Sequence, residues 1–213
     1  MSNTQAPVTE IVWFPVKVGK QPTEGQENMF GIDAGPGFLG GRFGWQLENR
    51  NVFHWVMNWS SYNAHQVMTL TPVYMPFVGE ILKWCSAVPA VVHYASKPYP
   101  PTGVFTSPVT EVIRLSVKIS QDEWPVLYEK FEGGLRDAPG YRAHSGGWAV
   151  ETEGDFVVAI GWESVEASAE WAKTDAGVMS LGYLVGGGNI NQLFHLQATG
   201  DVASPAHRTR QML

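Results

Sequence analysis

The stretch Pro7-Val8-Thr9-Glu10-Ile11-Val12 returns as Pro108-Val109-Thr110-Glu111-Val112-Ile113, 101 residues later in a chain of 213. A second series of matches keeps a constant offset of 103 residues and includes Gly44 and Gly147, Trp45 and Trp148, Phe53 and Phe156, Trp59 and Trp162, and Ser61 and Ser164. Two matched tryptophan pairs in one register indicate an internal duplication, because tryptophan is a rare residue. Two copies of one unit usually pack about a pseudo-twofold axis, since such a contact is self-complementary. The sequence therefore predicts a dimer fused into one chain.

The repeat also sets the predicted domain boundaries. The first unit is expected over residues 1–95 and the second over residues 108–200. Residues 96–107 between them are rich in proline, which favours an extended, semi-rigid linker. Residues 201–213 are expected to be a frayed C-terminal tail.

Each unit has the pattern of strand, helix, strand, strand, helix, strand. Ser120 and Glu123 have the spacing of a capping box, and apolar residues at helical spacing follow up to Leu135. Ser61 and Ser164 are predicted N-caps, because each follows a strand that ends in Trp. The remaining predicted elements are a loop or broken helix over residues 20–38, a helix over 74–84, strands over 90–94 and 192–196, and a flexible glycine turn over 186–189.

Composition excludes several classes of protein. The chain has 14 Lys and Arg against 20 Asp and Glu, a net charge of −6, which gives no electrostatic reason to expect nucleic acid. The N-terminus lacks the pattern of a signal peptide, and no run of about 18 apolar residues predicts a membrane span. Cys85 is the single cysteine, so no intrachain disulfide is expected. We therefore expect a cytoplasmic protein without a membrane partner.

The third strand of the first unit, Phe53 to Trp59, has two different faces because side chains alternate along a strand. Phe53, Trp55, Met57 and Trp59 form an apolar face. His54 and Asn58 lie on the other face, where the second unit carries only small or apolar residues. This divergence makes His54 and Asn58 candidate catalytic residues. The alternative is a solvated face at the margin of a sheet.

The stretch from Trp59 through Ala64-His65 to Thr71-Pro72-Val73-Tyr74 and Phe77 resembles the antibiotic-biosynthesis-monooxygenase type of dimeric α+β barrel. Trp162 to Ala167 repeats its first part. The resemblance implies an α+β fold: two tandem ferredoxin-like units that form an intrachain pseudo-dimeric α+β barrel. Members are usually homodimers, so the chain is expected to be a monomeric pseudo-dimer or a homodimer.

The same resemblance implies where a pocket would lie. In oxygenase members, the Trp that ends the third strand and a polar residue four positions earlier contribute to the pocket. The matching positions are Trp59 and Trp55. The Asn that is usual at the earlier position is missing, which weakens the oxygenase interpretation. His65 matches the His of the family's helix start and is a candidate acid or base, whereas its counterpart in the second unit is Ser168.

A third group of candidates lies before a strand of the second unit. His144 is a candidate base, Arg142 a candidate anion holder, and Tyr141 and Trp148 are predicted to contact substrate together with Trp55 and Trp59. His93 and His195 occur in both units, which favours a structural role. The six His residues lack metal-ligand spacing, so no bound metal is expected. No cofactor is predicted, although one well-placed His would suffice to bind haem. No nucleophile-elbow, zinc-protease or CxxC motif is present.

These features predict a cofactor-independent enzyme that acts on a hydrophobic, oxygenated polyketide or aromatic small molecule. A His at position 54, 65 or 144 would remove a proton, and Asn58 or Arg142 would hold the resulting oxyanion. The missing Asn at position 55 favours cyclisation or isomerisation. The alternatives are a cofactor-free monooxygenase, a non-catalytic ligand-binding or stress protein, and a haem binder.

Overall fold

A computed structural model describes residues 5–20 and 35–202 of the chain. Most of the predicted loop over residues 20–38, and the tail beyond residue 202, lie outside the described residues. Among those described, residues 5–20, 35–95 and 199–202 form one compact unit, and residues 96–198 form a second. We call these unit 1 and unit 2. The predicted fold class, α+β with two tandem ferredoxin-like units, is confirmed.

Unit 1 has an antiparallel sheet in the order β4-β1-β3-β2 and two helices. Its elements are β1 (Val8–Pro15), β2 (Phe38–Gln46), β3 (Val52–Trp59), α1 (Tyr62–Thr69), α2 (Tyr74–Leu82) and β4 (Ala90–Tyr94). A turn over residues 49–51 joins β2 to β3, and the backbone N–H of Asn51 donates to Oδ1 of Asn49 at 3.0 Å.

Unit 2 repeats this architecture in the sheet order β8-β5-β7-β6. Its elements are α3 (Thr102–Phe105), β5 (Val109–Val117), α4 (Trp124–Leu135), β6 (Tyr141–Trp148), β7 (Asp155–Trp162), α5 (Val165–Trp171), α6 (Asp175–Gly187) and β8 (Gly188–Val202). β8 is longer than the strand predicted over residues 192–196. Its residues from Thr199 onward belong to unit 1.

The core of unit 2 follows from the apolar pattern of its sequence. One face of the sheet carries Ile113 and Trp162, and these residues pack against Phe131 and Leu135 of α4 and Leu184 of α6. All five side chains are fully buried. Full burial of side chains of this size stabilises a fold by about 1.5–3 kcal/mol each.

Two sequence predictions differ from the structure. The linker is not extended throughout, because Thr102–Phe105 forms the short helix α3. The glycine run over residues 186–189 is not a turn, because α6 ends at Gly187 and β8 begins at the next residue. A Cβ atom on Gly187 would lie 2.8 Å from the ring of Trp124, so this glycine permits close packing of α6 on α4.

The capping predictions are confirmed. Ser120 and Glu123 bond reciprocally, with the backbone N–H of Glu123 donating to Ser120 Oγ and that of Ser120 donating to the Glu123 carboxylate, both at 3.2 Å. Ser61 Oγ accepts from the Ala64 N–H at 3.0 Å, and Ser164 Oγ accepts from the Ala167 N–H at 3.1 Å.

The cap at Ser164 gives a measurable contribution to stability. Ser164→Ala removes the acceptor for an amide at the start of α5, so we expect a loss of about 1 kcal/mol in the free energy of unfolding. Ser164→Asp keeps an acceptor at the same place and should retain most of that stability. Urea unfolding of both variants measures the difference, and equal stability of the two would show that the cap contributes nothing.

Candidate functional site

Unit 1 contains a pocket of about 260 Å³ between its sheet and its two helices. The sheet contributes residues of β1, β3 and β4, and the helices contribute residues of α1 and α2. The walls are almost entirely apolar, and they include Val12, Phe14, Trp55, Met57, Met68, Phe77, Val78, Ile81, Leu82, Val88, Pro89 and Val91. Leu82, Val88 and Val91 are exposed, so they mark the side of the pocket that faces solvent. Glu10, His65 and Tyr74 are the lining residues with polar or ionisable groups.

Glu10 is a buried carboxylate in the middle of β1. The indole N–H of Trp59 donates to Glu10 Oε2 at 2.7 Å. The side chains of His65 and His93 approach this same oxygen rather than Oε1. Glu10 also lines the pocket.

Two histidines from separate elements converge on the same carboxylate oxygen. Nε2 of His65 lies 3.8 Å from Glu10 Oε2, and Nε2 of His93 lies 3.6 Å from it. His93 is the direct cross-strand partner of Glu10 in β4, so both project from one face of the sheet. Ser61 starts α1 just after Trp59, which places His65 on the first turn of the helix, with its ring centroid 4.7 Å from that of His93.

The charge state of this cluster follows from its surroundings. Burial raises the pKa of Glu10, but the interactions with His93 and His65 and the hydrogen bond from Trp59 together outweigh burial, so its pKa lies below the ordinary value. Burial, and then the negative charge of Glu10, raise the pKa of Tyr74. Tyr74 is therefore a protonated hydrogen-bond donor on the wall of the pocket, beside a carboxylate that is ionised at neutral pH.

Unit 2 keeps part of the same cluster. Trp162 donates to Glu111 Oε2 at 2.9 Å, and His195 Nε2 lies 4.0 Å from that oxygen. Ser168 stands where unit 1 has His65, and its hydroxyl donates to Glu111 Oε2 at 2.8 Å. The Trp, Glu and His common to both units form a shared structural element, whereas His65 distinguishes the cluster that opens on the pocket.

His54 and Asn58 lie on the opposite face of β3 from the pocket. His54 is 1% exposed, so the sheet margin there is not solvated. Burial lowers its pKa to about 3, against a smaller opposing effect of Glu48. Asn58 accepts a hydrogen bond from Thr9 Oγ1 at 2.9 Å. The structure therefore does not bring these two residues together with His65.

The candidates in unit 2 form a separate group. Tyr141 Oη and His144 Nδ1 are 2.6 Å apart, and His144 Nε2 lies 2.9 Å from Glu132 Oε1 on α4. The half-exposed Arg142 side chain instead meets Glu163 at 3.3 Å, on the surface. His144 and Arg142 therefore have separate partners, Glu132 and Glu163.

The four predicted substrate contacts have different environments. Trp55 lines the pocket of unit 1 and stacks on Phe77, with ring centroids 5.9 Å apart. Trp59 is fully buried and orients Glu10. In unit 2, Trp148 packs edge-on against Phe156, and Tyr141 packs edge-on against Trp162. Trp55 is thus the one of the four that lines this pocket.

Sequence reasoning missed two members of the cluster. The repeat alone gives Glu10 no role beyond the duplication, and the recurrence of His93 in unit 2 favours a structural role. A signal for Glu10 is nevertheless present in the sequence, because Glu10 and Glu111 place an ionisable residue inside a β-branched, apolar stretch in both copies. Charged residues are almost never fully buried unless they are paired, so such a residue needs a partner. Nothing in the sequence indicates that the partners are His65 and His93, which the fold brings together from 55 and 83 residues away.

No protein-family profile matches the sequence, and no curated protein matches it. Solved structures do match. An anthrone oxidase-like protein covers 96% of this chain and 96% of its own, with a TM-score of 0.66 and 12% identity. The chain has the dimeric α+β barrel fold. The same fold is found in a proposed monooxygenase from Fusobacterium nucleatum, which covers 92% of this chain and 94% of its own, with a TM-score of 0.65 and 11% identity. It is also found in a proposed monooxygenase from Lactobacillus acidophilus, which covers 93% of this chain and 96% of its own, with a TM-score of 0.62 and 13% identity.

These likenesses confirm the predicted fold. At 11–13% identity they leave the chemistry to be argued from the residues of this chain. Within the described residues, no helix combines the length and the apolar character needed to cross a membrane.

Proposed function

We propose that unit 1 is a cofactor-independent enzyme that transfers a proton to or from a hydrophobic, oxygenated small molecule. The observation that carries this proposal is the Glu10–His65 pair at an otherwise apolar pocket. Ligand pockets are mostly apolar with few directed polar groups, and this pocket has that composition. A purely ligand-binding protein needs no such converging pair, so the pair favours an enzyme.

His65 is the proposed base, because an imidazole accepts and returns protons near neutral pH. In the forward step, Nε2 of His65 takes a proton from an acidic O–H or C–H bond of the substrate, and the bonding electrons remain on the substrate as an enolate or phenolate. The ionised Glu10, 3.8 Å away, stabilises the imidazolium that forms. Tyr74 is placed to donate a hydrogen bond to the new oxyanion.

The size of the pocket restricts the substrate. A volume of about 260 Å³ lies near the lower end of the range for ligand sites, roughly 300–1,000 Å³. We therefore propose a substrate of one or two rings, or a short polyketone of similar volume, with an acidic hydroxyl or methylene group. The aromatic side chains of Trp55 and Phe77 offer flat apolar surfaces for such a molecule.

Two outcomes of the proton transfer remain as candidate reactions. In cyclisation or isomerisation, the carbanion attacks a carbonyl group of the same molecule, or the proton returns to another atom, and no co-substrate is consumed. In oxygenation, the carbanion is oxidised by dioxygen: one oxygen atom bonds to the carbon and becomes a carbonyl oxygen of the product, and the other leaves as water. The whole-chain likeness to proteins named monooxygenase and anthrone oxidase-like supports oxygenation, whereas Trp55 in place of the usual Asn supports the first outcome.

A turnover assay separates these reactions. Metal-stripped protein is incubated with a panel of phenols, naphthols and short polyketones, with and without dioxygen, and products are identified by mass spectrometry. A product of unchanged or dehydrated mass, formed equally without dioxygen, supports cyclisation or isomerisation. A product that gains oxygen only in air supports oxygenation. The absence of any product across the panel would contradict the proposal.

Blocking the pocket should remove this activity without affecting the fold. Val91 lines the mouth, its side chain is 46% exposed, and its cross-strand partner is Val12, on the pocket face of β1. We expect Val91→Trp to lower kcat/KM at least about tenfold, because a small displacement of substrate from the reacting groups costs that much. Val126→Trp, at an exposed site in unit 2, is the matched control and should leave turnover unchanged. Equal turnover of both variants would show that the substrate binds elsewhere.

A further inference from the structure

We propose that Glu10, His65 and His93 form a binding site for a divalent transition-metal ion, which opens on the pocket of unit 1. Each residue offers one ligand atom, and these atoms all lie within 4.8 Å of one another. All three side chains are buried, so the ligands are held by the packing of the protein and need little reorganisation. The spacing of these three residues along the sequence does not indicate a metal site, because they come from β1, α1 and β4.

The distances suit a metal ion better than hydrogen bonds. The two Nε2 atoms lie 3.8 and 3.6 Å from Glu10 Oε2, which is beyond the usual hydrogen-bond range. A bound metal ion lies about 2.0–2.2 Å from nitrogen and oxygen ligands, which places ligand atoms of one ion roughly 3–4 Å apart. Both separations from Glu10 Oε2 fall in this range, and all three ligand atoms lie within 4.8 Å of one another. An ion between the three atoms therefore requires only small movements of the side chains.

The donor set selects the kind of metal. Two imidazoles and one carboxylate are a ligand set found with zinc and with non-haem iron, whereas calcium and magnesium prefer oxygen ligands alone. The Trp59 indole donates to the same carboxylate and fixes its orientation, as the outer partners of metal ligands commonly do. Glu10 and His65 also line the pocket, so further coordination positions would face it.

Unit 2 provides an internal comparison. Ser168 replaces the histidine of α1 and occupies Glu111 Oε2 with a hydrogen bond of 2.8 Å. His195 Nε2 lies farther from its carboxylate, at 4.0 Å. Unit 2 therefore offers one histidine and one carboxylate that is already bonded by two donors, and we expect the metal to bind unit 1 alone.

A metal ion at this site would also affect the proposed proton transfer, an expectation that rests on the proposed function. An ion bonded to His65 Nε2 occupies the lone pair that would accept a proton from the substrate. We therefore expect Zn²⁺ to inhibit the proton transfer of the metal-free protein. Binding itself does not depend on the reaction, so it can be measured without any substrate.

The test is calorimetric titration of metal-stripped, full-length protein with Zn²⁺, and with Co²⁺ for an absorption spectrum. We expect one ion per chain and a cobalt spectrum of a low-coordinate nitrogen and oxygen site. His65→Ser and Glu10→Gln should each weaken binding at least about 100-fold, because each removes a ligand. Glu111→Gln is the matched control in unit 2 and should bind like the wild-type protein.

The outcomes separate the metal site from the proposed function. Loss of binding in the two unit 1 variants, with binding kept in Glu111→Gln, supports the site. No Zn²⁺ binding, or equal binding by His65→Ser, Glu10→Gln and the wild type, overturns it, whatever the turnover assay gives. If the ion binds as expected but restores activity to an inactive metal-stripped protein, the site stands and the cofactor-independent mechanism fails.

Discussion

Replacement of His65 by Ser is expected to lower kcat on the order of 10²–10⁴-fold, the usual contribution of a general acid or base, while the fold remains intact. The chain already contains the equivalent of this variant, because Ser168 occupies the matching position of unit 2. There the serine hydroxyl donates a hydrogen bond to the buried carboxylate of Glu111. A serine introduced in place of His65 can make the same bond to Glu10, so no charge is left buried without a partner.

Two further variants make this result specific. His65→Gln fills more of the volume of the imidazole but cannot accept a proton, so it should be as inactive as His65→Ser. Ser168→Ala removes the corresponding group of unit 2 and should leave turnover unchanged. Circular dichroism and thermal unfolding check that each variant is folded. Turnover within about threefold of wild type in a folded His65→Ser protein would remove His65 from the mechanism.

Acidification should destabilise the protein through His54. Its pKa is about 3 in the folded protein, because the side chain is buried, against an ordinary value of 6.5. Below pH 6.5 the unfolded chain binds a proton that the folded chain refuses, so stability falls as the pH drops towards 3. One pKa unit corresponds to about 1.4 kcal/mol, so between about pH 7 and about pH 4.5 His54 should cost roughly 2–3 kcal/mol.

The duplicate again provides the control. Val157 occupies the position of His54 in unit 2 and is fully buried. His54→Val should therefore fold, and its free energy of unfolding should fall by roughly 2–3 kcal/mol less than that of wild type over the same pH range. Urea unfolding at the two pH values gives both changes. Parallel losses in the two proteins would mean that His54 can be protonated in the folded state.

The fold was largely predictable because its signals are local or repeated. Alternating apolar residues predicted the strands, and the serines at positions 61 and 164 predicted helix starts that the hydrogen bonds confirm. The glycine run before β8 was wrongly predicted to be a turn, because glycine also occurs where two elements pack closely. There it allows Gly187 to approach the ring of Trp124, a contact between elements 63 residues apart.

The site was less predictable, because it depends on contacts between distant residues. His65 and Trp55 were both found from the resemblance, His65 from its match to the family's helix start and Trp55 from its position four residues before the Trp that ends the strand. Glu10 and His93 gain their importance only when β1 pairs with β4, which makes them cross-strand partners. Recurrence in both units favoured a structural role for His93, and the decisive difference, His65 against Ser168, involves a single position.

Under the proposed function, the substrate binds in the unit 1 pocket, beside Glu10 and His65. A crystal structure of metal-free protein with the tightest-binding compound of the panel tests this most directly. We predict the compound between Met68 and Phe77, with an oxygen atom within hydrogen-bond distance of Tyr74 and its acidic group next to His65 Nε2. A compound bound in unit 2 near His144, with the unit 1 pocket unoccupied, would contradict the proposed function.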